Sequence, residues 1–263
     1  MLRRMIATVA VLWLAASLAF FALRVLPGDA LQAQLQESGA SAEVIAERRA
    51  ALGLDDPLIV QYGRFLGGLL RGDLGVSLLD GRPVTEVIAE QFVPTASLAL
   101  ASLMIAAVAG VALGTVAALD WRGASLARLL LDLSLSMPIY WTGTLAIYIF
   151  AVRLDWLSGS GFVLPTAVLG FHAAGAVGQV VRSAVSETLA FDFVRTARAK
   201  GLRERSVIVR HVLRASLLPG VTVIALQAGF LLGGVVITES LFVRPGIGRV
   251  LLNATLRQDY PVV

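Results

Sequence analysis

Five uncharged apolar runs, Met5–Leu23, Thr95–Leu119, Leu133–Val152, Leu164–Val181 and Leu217–Ile237, constrain this 263-residue chain more than any other feature. Each falls within the roughly 17–25 residues that cross a hydrocarbon core about 30 Å thick as a helix. The runs predict five transmembrane helices and an all-α polytopic membrane protein. Composition agrees, because 57% of residues are hydrophobic and only 15% charged, with a mean hydropathy of +0.80. A soluble domain carries about 25% charged residues.

Charges between the runs set the expected topology. Arg3 and Arg4 precede the first run in the manner of a signal peptide. That run is longer than a usual h-region of about 7–15 residues, and more spans follow it. An uncleaved first span with a cytoplasmic N-terminus is therefore expected. Arg24–Gln91 carries ten acids against six arginines, the balance of a water-exposed outer segment. Within it Ala42–Leu52 has a helical pattern ending at Gly53, and Asp56 with Pro57 offers an N-cap and first turn for a helix to about Leu70. Gly72-Asp73-Leu74-Gly75 breaks that helix. By alternation Asp120-Trp121-Arg122-Gly123 is an inner turn, Arg153–Gly161 an outer link, Arg182–Arg214 an inner loop, and Glu239–Asp259 an outer segment polar enough for water. The sequence pI of 10.1 thus reflects basic residues at the inner helix ends, not a nucleic-acid surface. With no cysteine, disulfides, thiolate metal sites and thiol nucleophiles are excluded.

Several polar and small residues stand out inside the runs. Gly110 and Gly114, and again Gly229 and Gly233, have the spacing that lets helix backbones approach. The third span starts near Leu129 and carries Asp132 about one turn in. Its Pro138 is expected to kink it, with Trp141 and Tyr148 facing lipid or neighbours. The fourth run holds Gly170, Gly175 and Gly178, a composition for close packing, and His172 near its middle. An ionisable group at that depth faces a wet cavity or a partner helix. His172 is accordingly either a contact of a translocation path or a neutral imidazole bonded to a neighbouring helix. Gln227 in the last run is the second candidate for such a path.

Phe191–Pro219 is a basic stretch between two apolar runs, with seven of the 22 Lys and Arg residues and the two acids Asp192 and Glu204. At 3.6 residues per turn, Phe193, Val194, Ala197 and Gly201 share one face and Arg195 and Arg198 another. Gly201 is suited to a left-handed cap. A second helical run follows, with Ile208, Val212 and Ala215 on one side and Arg203, Arg210 and Arg214 on the other, expected to be interrupted at Pro219.

This stretch resembles the cytoplasmic coupling loop of bacterial ABC importer permeases, whose general motif is Glu-Ala-Ala, three residues, Gly, and a downstream Leu-Pro. Here Arg195-Thr196-Ala197, Arg198-Ala199-Lys200 and Gly201 precede Leu218-Pro219. Arg in place of Glu, and the more distant Leu-Pro, are similar to the dipeptide, oligopeptide and nickel branch. The same branch is resembled by Leu26-Pro27-Gly28-Asp29, Leu52-Gly53-Leu54-Asp55, Gly72 to Ser77, Ser134 to Pro138, Phe242 to Arg249 and Arg257 to Val263. The resemblance implies a type I ABC importer fold, with residues 1–91 as the first helix and external region and 92–263 as the transmembrane domain. Family members continue through a sixth span beyond the approach at Arg257–Val263.

The resemblance further implies a second similar permease, two ATP-binding subunits and an extracytoplasmic substrate-binding protein as partners. Phe193, Val194, Arg195, Thr196, Ala197, Arg198 and Gly201 would form the ATPase-coupling loop. No phosphate-binding loop motif occurs, and Lys200 is the lone lysine. No cofactor is thus expected on this chain, ATP and Mg being used by the partners. Peptides are the expected cargo, with nickel or a metal chelate as the alternative. No Gly-x-Ser-x-Gly or His-Glu-x-x-His favours an enzyme. A membrane sensor or scaffold with a basic loop is the remaining alternative.

Overall fold

A computed structural model describes residues 2–25, 41–119 and 121–263. Leu26-Pro27-Gly28-Asp29 and Asp120 lie outside the described residues. Among those described, regular structure is helical apart from an isolated antiparallel bridge between Val76 and Pro83. The chain divides into two compact units, Met1–Phe92 with Val250–Val263, and Val93–Arg249.

The first unit contains α1 (Leu2–Val25), α2 (Ala42–Ala51) and α3 (Leu58–Arg71). Phe20 of α1 is buried, and its ring lies 5.2 Å from those of Tyr62 and Phe65 on α3. Ser17 and Tyr62 share a 2.6 Å hydrogen bond, and Arg24 Nε donates to Gln61 Oε1 at 3.1 Å. The N-cap of α3 differs from expectation. Pro57, not Asp56, is the cap residue, since its carbonyl receives the first helical N–H groups, from Val60 and Gln61. The Asp56 carboxylate is instead held by Arg64 at 2.6 Å. Gly72, at φ 74°, ends α3 as the sequence suggests. In the following turn Ser77 and Leu78 donate to Asp259, so a residue expected in water is buried and fully bonded.

In the second unit most of α4 (Val84–Ala118) is followed by α5 (Ala124–Ser136) and α6 (Ile139–Ala146), the last continuing as π-helix through Ile147–Arg153. Pro138 does more than kink the third span. Met137 and Pro138 are extended, and the second limb is bent 111° from the first. The reason is that proline disfavours the helical region for the residue before it. Next come α7 (Val163–Leu189), α8 (Asp192–Ala199) and α9 (Glu204–Ser206), which runs through π-helical Val207–Val212 into α10 (Leu213–Gly234). The short α11 (Val236–Leu241) follows, and α12 (Ile247–Leu256), most of which belongs to the first unit, completes the elements.

Pro219 lies inside α10 and does not end it, contrary to expectation. Proline removes one helical hydrogen bond, but in hydrocarbon unwinding would strand several more backbone groups. The helix is the cheaper solution. Among the described residues four helices are long and apolar enough to cross a membrane, or five if the bent α5–α6 pair counts as one span.

α7 is the central helix of this unit. Leu169, Ala173 and Ala174 pack with Leu98, Ala99 and Ala106 of α4 and Leu231 of α10. The α4–α7 contact is close because of glycine. A Cβ on Gly114 would stand 2.4 Å from the Gly178 carbonyl oxygen, and one on Gly110 2.7 Å from the Val177 Cβ. A Cβ on Gly229 or Gly233 would meet nothing within 4 Å among the described residues, so their shared spacing marks no packed crossing among them.

Candidate functional site

Two arrangements in the second unit carry the candidate site. The first is α8. Val194 is fully buried and Ala197 nearly so, packed among Val181 and Val185 of α7 and Val207 and Val212 at the start of the last long helix. Val194 therefore faces the chain's own spans. Phe193, expected on the same face, sits at its edge, 41% exposed, with its ring 6.0 Å from that of Phe191. One residue of helix rotates a side chain by about 100°, enough to take Phe193 off the buried face. Arg195 is exposed beside Asp192, and the Thr196 hydroxyl returns to the Asp192 carbonyl. Arg198 donates to Glu204 at 2.6 and 3.1 Å across the turn.

That turn is built on Gly201. Its φ of 76° lies in the left-handed region, its N–H returns to the Arg198 carbonyl at 2.9 Å, and open space surrounds the position of a Cβ. Glycine is required by the backbone, not by crowding. The result is a short helix fixed to the spans by its inner face, with two aromatic rings and Arg195 presented outward.

The second arrangement is a polar stripe along α7. Opposite the buried Val177, Val181 and Val185, His172, Gln179, Ser183 and Ser186 fall within an arc of roughly 60°, over about 21 Å of helix. His172 and Gln179 are half-buried, and the two serines exposed. The bent third span meets this stripe with both limbs. Thr142 Oγ1 on α6 lies 3.1 Å from His172 Nε2, and Asp132 Oδ1 on α5 accepts from Gln179 Nε2 at 2.8 Å. Gln227 is half-buried on α10 and shares no hydrogen bond with His172 among the described residues.

Sequence reasoning noted Asp132 but missed Gln179 and the serines. The signal was present as a polar residue recurring seven, eleven and fourteen positions after His172. It also gave no sign of the burial of Glu239, at the start of the segment expected outside. Glu239 is fully buried and accepts hydrogen bonds from the Thr95 hydroxyl and the Gly248 and Arg249 N–H groups. Three donors replace the water that a lone carboxylate would demand.

Residues 110–263 match the family described as "Binding-protein-dependent transport system inner membrane component", and residues 1–99 match the corresponding N-terminal family. The chain is 39% identical to the "Glutathione transport system permease protein GsiC" of Salmonella paratyphi A, covering 100% of this chain and 88% of that relative. The protein of the same name from Pectobacterium atrosepticum is also 39% identical, and that from Escherichia coli K12 36%, with the same coverage.

Proposed function

Because the chain belongs to the family of binding-protein-dependent transport system inner membrane components, we propose that it forms half of the translocation path of an ATP-driven importer of small peptides. It is a permease subunit of an ABC importer, a multi-pass inner-membrane protein and a transport subunit rather than an enzyme. Family membership implies ATP-binding subunits and a substrate-binding protein as partners. The relatives named for glutathione, a tripeptide, favour peptide cargo over nickel. A second, similar permease supplies the other wall, the N-terminus is cytoplasmic, and ATP and Mg are bound by the partner subunits.

The observation that carries the coupling role is the mounting of α8. Its inner face is packed into α7 and the last long helix, while Phe191, Phe193 and Arg195 face outward. Movement of a partner gripping that outer face is thereby passed to the spans. The Arg198–Glu204 pair and Gly201 hold the turn that sets the angle between α8 and the following helix.

The test is reconstitution in proteoliposomes with the partner permease, the ATP-binding subunits and the binding protein. ATP-dependent uptake of reduced glutathione or of other di- and tripeptides supports the reading. Uptake of nickel with no peptide transported would replace it.

A further inference from the structure

We propose that Asp132, oriented by Gln179, is a cation-recognising subsite in the path and takes the ammonium group of the peptide cargo. This rests on the proposed transport function and takes the α7 stripe, which holds the path candidate His172, as a wall of the path. Asp132 lies two turns into α5 and about one turn past the expected start of the third span near Leu129, and its side chain is exposed. A carboxylate turned toward lipid is costly, so its face meets a wet cavity or a partner helix, and its bond to Gln179 of the polar stripe favours the cavity. No ion pair neutralises it among the described residues. Arg128, one turn earlier, directs its Nε to the Ala117 carbonyl at 3.0 Å.

Gln179 defines what this site can bind. Its amide nitrogen donates to Asp132 Oδ1 at 2.8 Å, which fixes the carboxylate and leaves Oδ2 and the amide Oε1 as acceptors. Two acceptors, one of them charged, fit an –NH3+ group with its three donors and repel an anion. Farther along the same stripe the His172–Thr142 pair lies about 10 Å from Gln179 by helical rise. Three extended residues span a similar distance, about 10 Å. A tripeptide with its ammonium at Asp132 would thus reach the imidazole with its other end.

Because the chain has no cysteine, single thiols can be placed in the stripe of the assembled importer. Ala176→Cys lies between His172 and Gln179, and Ser183→Cys lies beyond them. Each is treated with a cationic trimethylammonioethyl and an anionic sulfonatoethyl methanethiosulfonate, with rates corrected for reactivity toward a free thiol. At Ala176→Cys the cationic reagent should react about tenfold faster, and Asp132→Asn, which keeps a partner for Gln179, should abolish that preference. Equal rates with both reagents overturn the subsite while leaving the path reading intact. No reaction at either position overturns both.

In a second arm, Asp132→Asn should lower uptake of a pool of N-terminally free di- and tripeptides containing reduced glutathione about tenfold, mainly through KM, at unchanged expression. Unchanged uptake overturns the subsite. Absence of peptide uptake by the unmodified importer removes the peptide reading, and the ammonium assignment with it.

Discussion

The Glu239 carboxylate accepts a hydrogen bond from the Thr95 hydroxyl at 2.6 Å, tying α11 to α4 across 144 positions of chain. The same carboxylate caps the first turn of α12 through the N–H groups of Gly248 and Arg249. Pro245-Gly246-Ile247-Gly248 wraps it so closely that a Cβ on Gly246 would stand 2.1 Å from the carboxylate carbon. An acid, a hydroxyl and a glycine turn thus form one unit.

Glu239→Ala should therefore destabilise the protein by about 2–4 kcal/mol, because three donors lose a charged acceptor in a buried site. Gly246→Ala should also be strongly destabilising, through the clash. The pair should be non-additive: with the carboxylate gone, the added methyl group has room. Thermal unfolding of detergent-solubilised protein checks this. Strict additivity of the two losses would show that the residues do not act together.

The helices and the close-packing glycines of α4 and α7 were legible because lipid imposes a single backbone solution and glycine marks close approach, though not that these two helices meet. Glu239 and Asp259 were not, because charge alone reads as exposure and their donors come from distant chain positions, Thr95 in one case and Ser77 in the other. Pro219 and Pro138 show the same limit in the other direction. Each removes one hydrogen bond, yet one is absorbed within a helix and the other turns the span through 111°. Surroundings decide between those outcomes. In α8 the amphipathic pattern found the helix and its cap, but not which of Phe193 and Val194 would face inward.

The proposed orientation puts residues 71–91 and the α8 turn on opposite sides of the membrane. Glu86→Cys and Lys200→Cys, both at exposed positions, should react from opposite sides with an impermeant maleimide in intact cells and inverted vesicles. Labelling of both from one side would overturn the orientation or the number of crossings.

At the turn after α8 the backbone and side-chain requirements separate cleanly. Gly201→Asn should be tolerated, because asparagine enters the left-handed region at modest cost and nothing crowds its Cβ. Gly201→Val should lose about 1–2 kcal/mol and misalign the following helix. Ala197→Glu would place a charge among Val181, Val185 and Val212, so it should lower the yield of inserted protein. Arg195→Glu, on the exposed side, should instead leave insertion intact and weaken co-purification of the ATP-binding subunits. If Arg195→Glu and Phe193→Ala both retain full ATPase association and uptake, α8 is not the docking element.

His172 is the sharpest test of the stripe, since its hydrogen bond to Thr142 is compatible with a packing role and with a path role. The two roles differ in what they predict. As a fastener between α6 and α7, the pair contributes about 0.5–1.5 kcal/mol, so His172→Leu and Thr142→Val should lower Tm by similar small amounts and spare transport. As part of the path wall, the imidazole also meets cargo, so His172→Leu should reduce peptide uptake at least severalfold while Thr142→Val, which removes only its support, costs less. The expected result is the second pattern, with both variants expressed and inserted at normal levels. Normal uptake by His172→Leu would leave the imidazole with the fastening role alone.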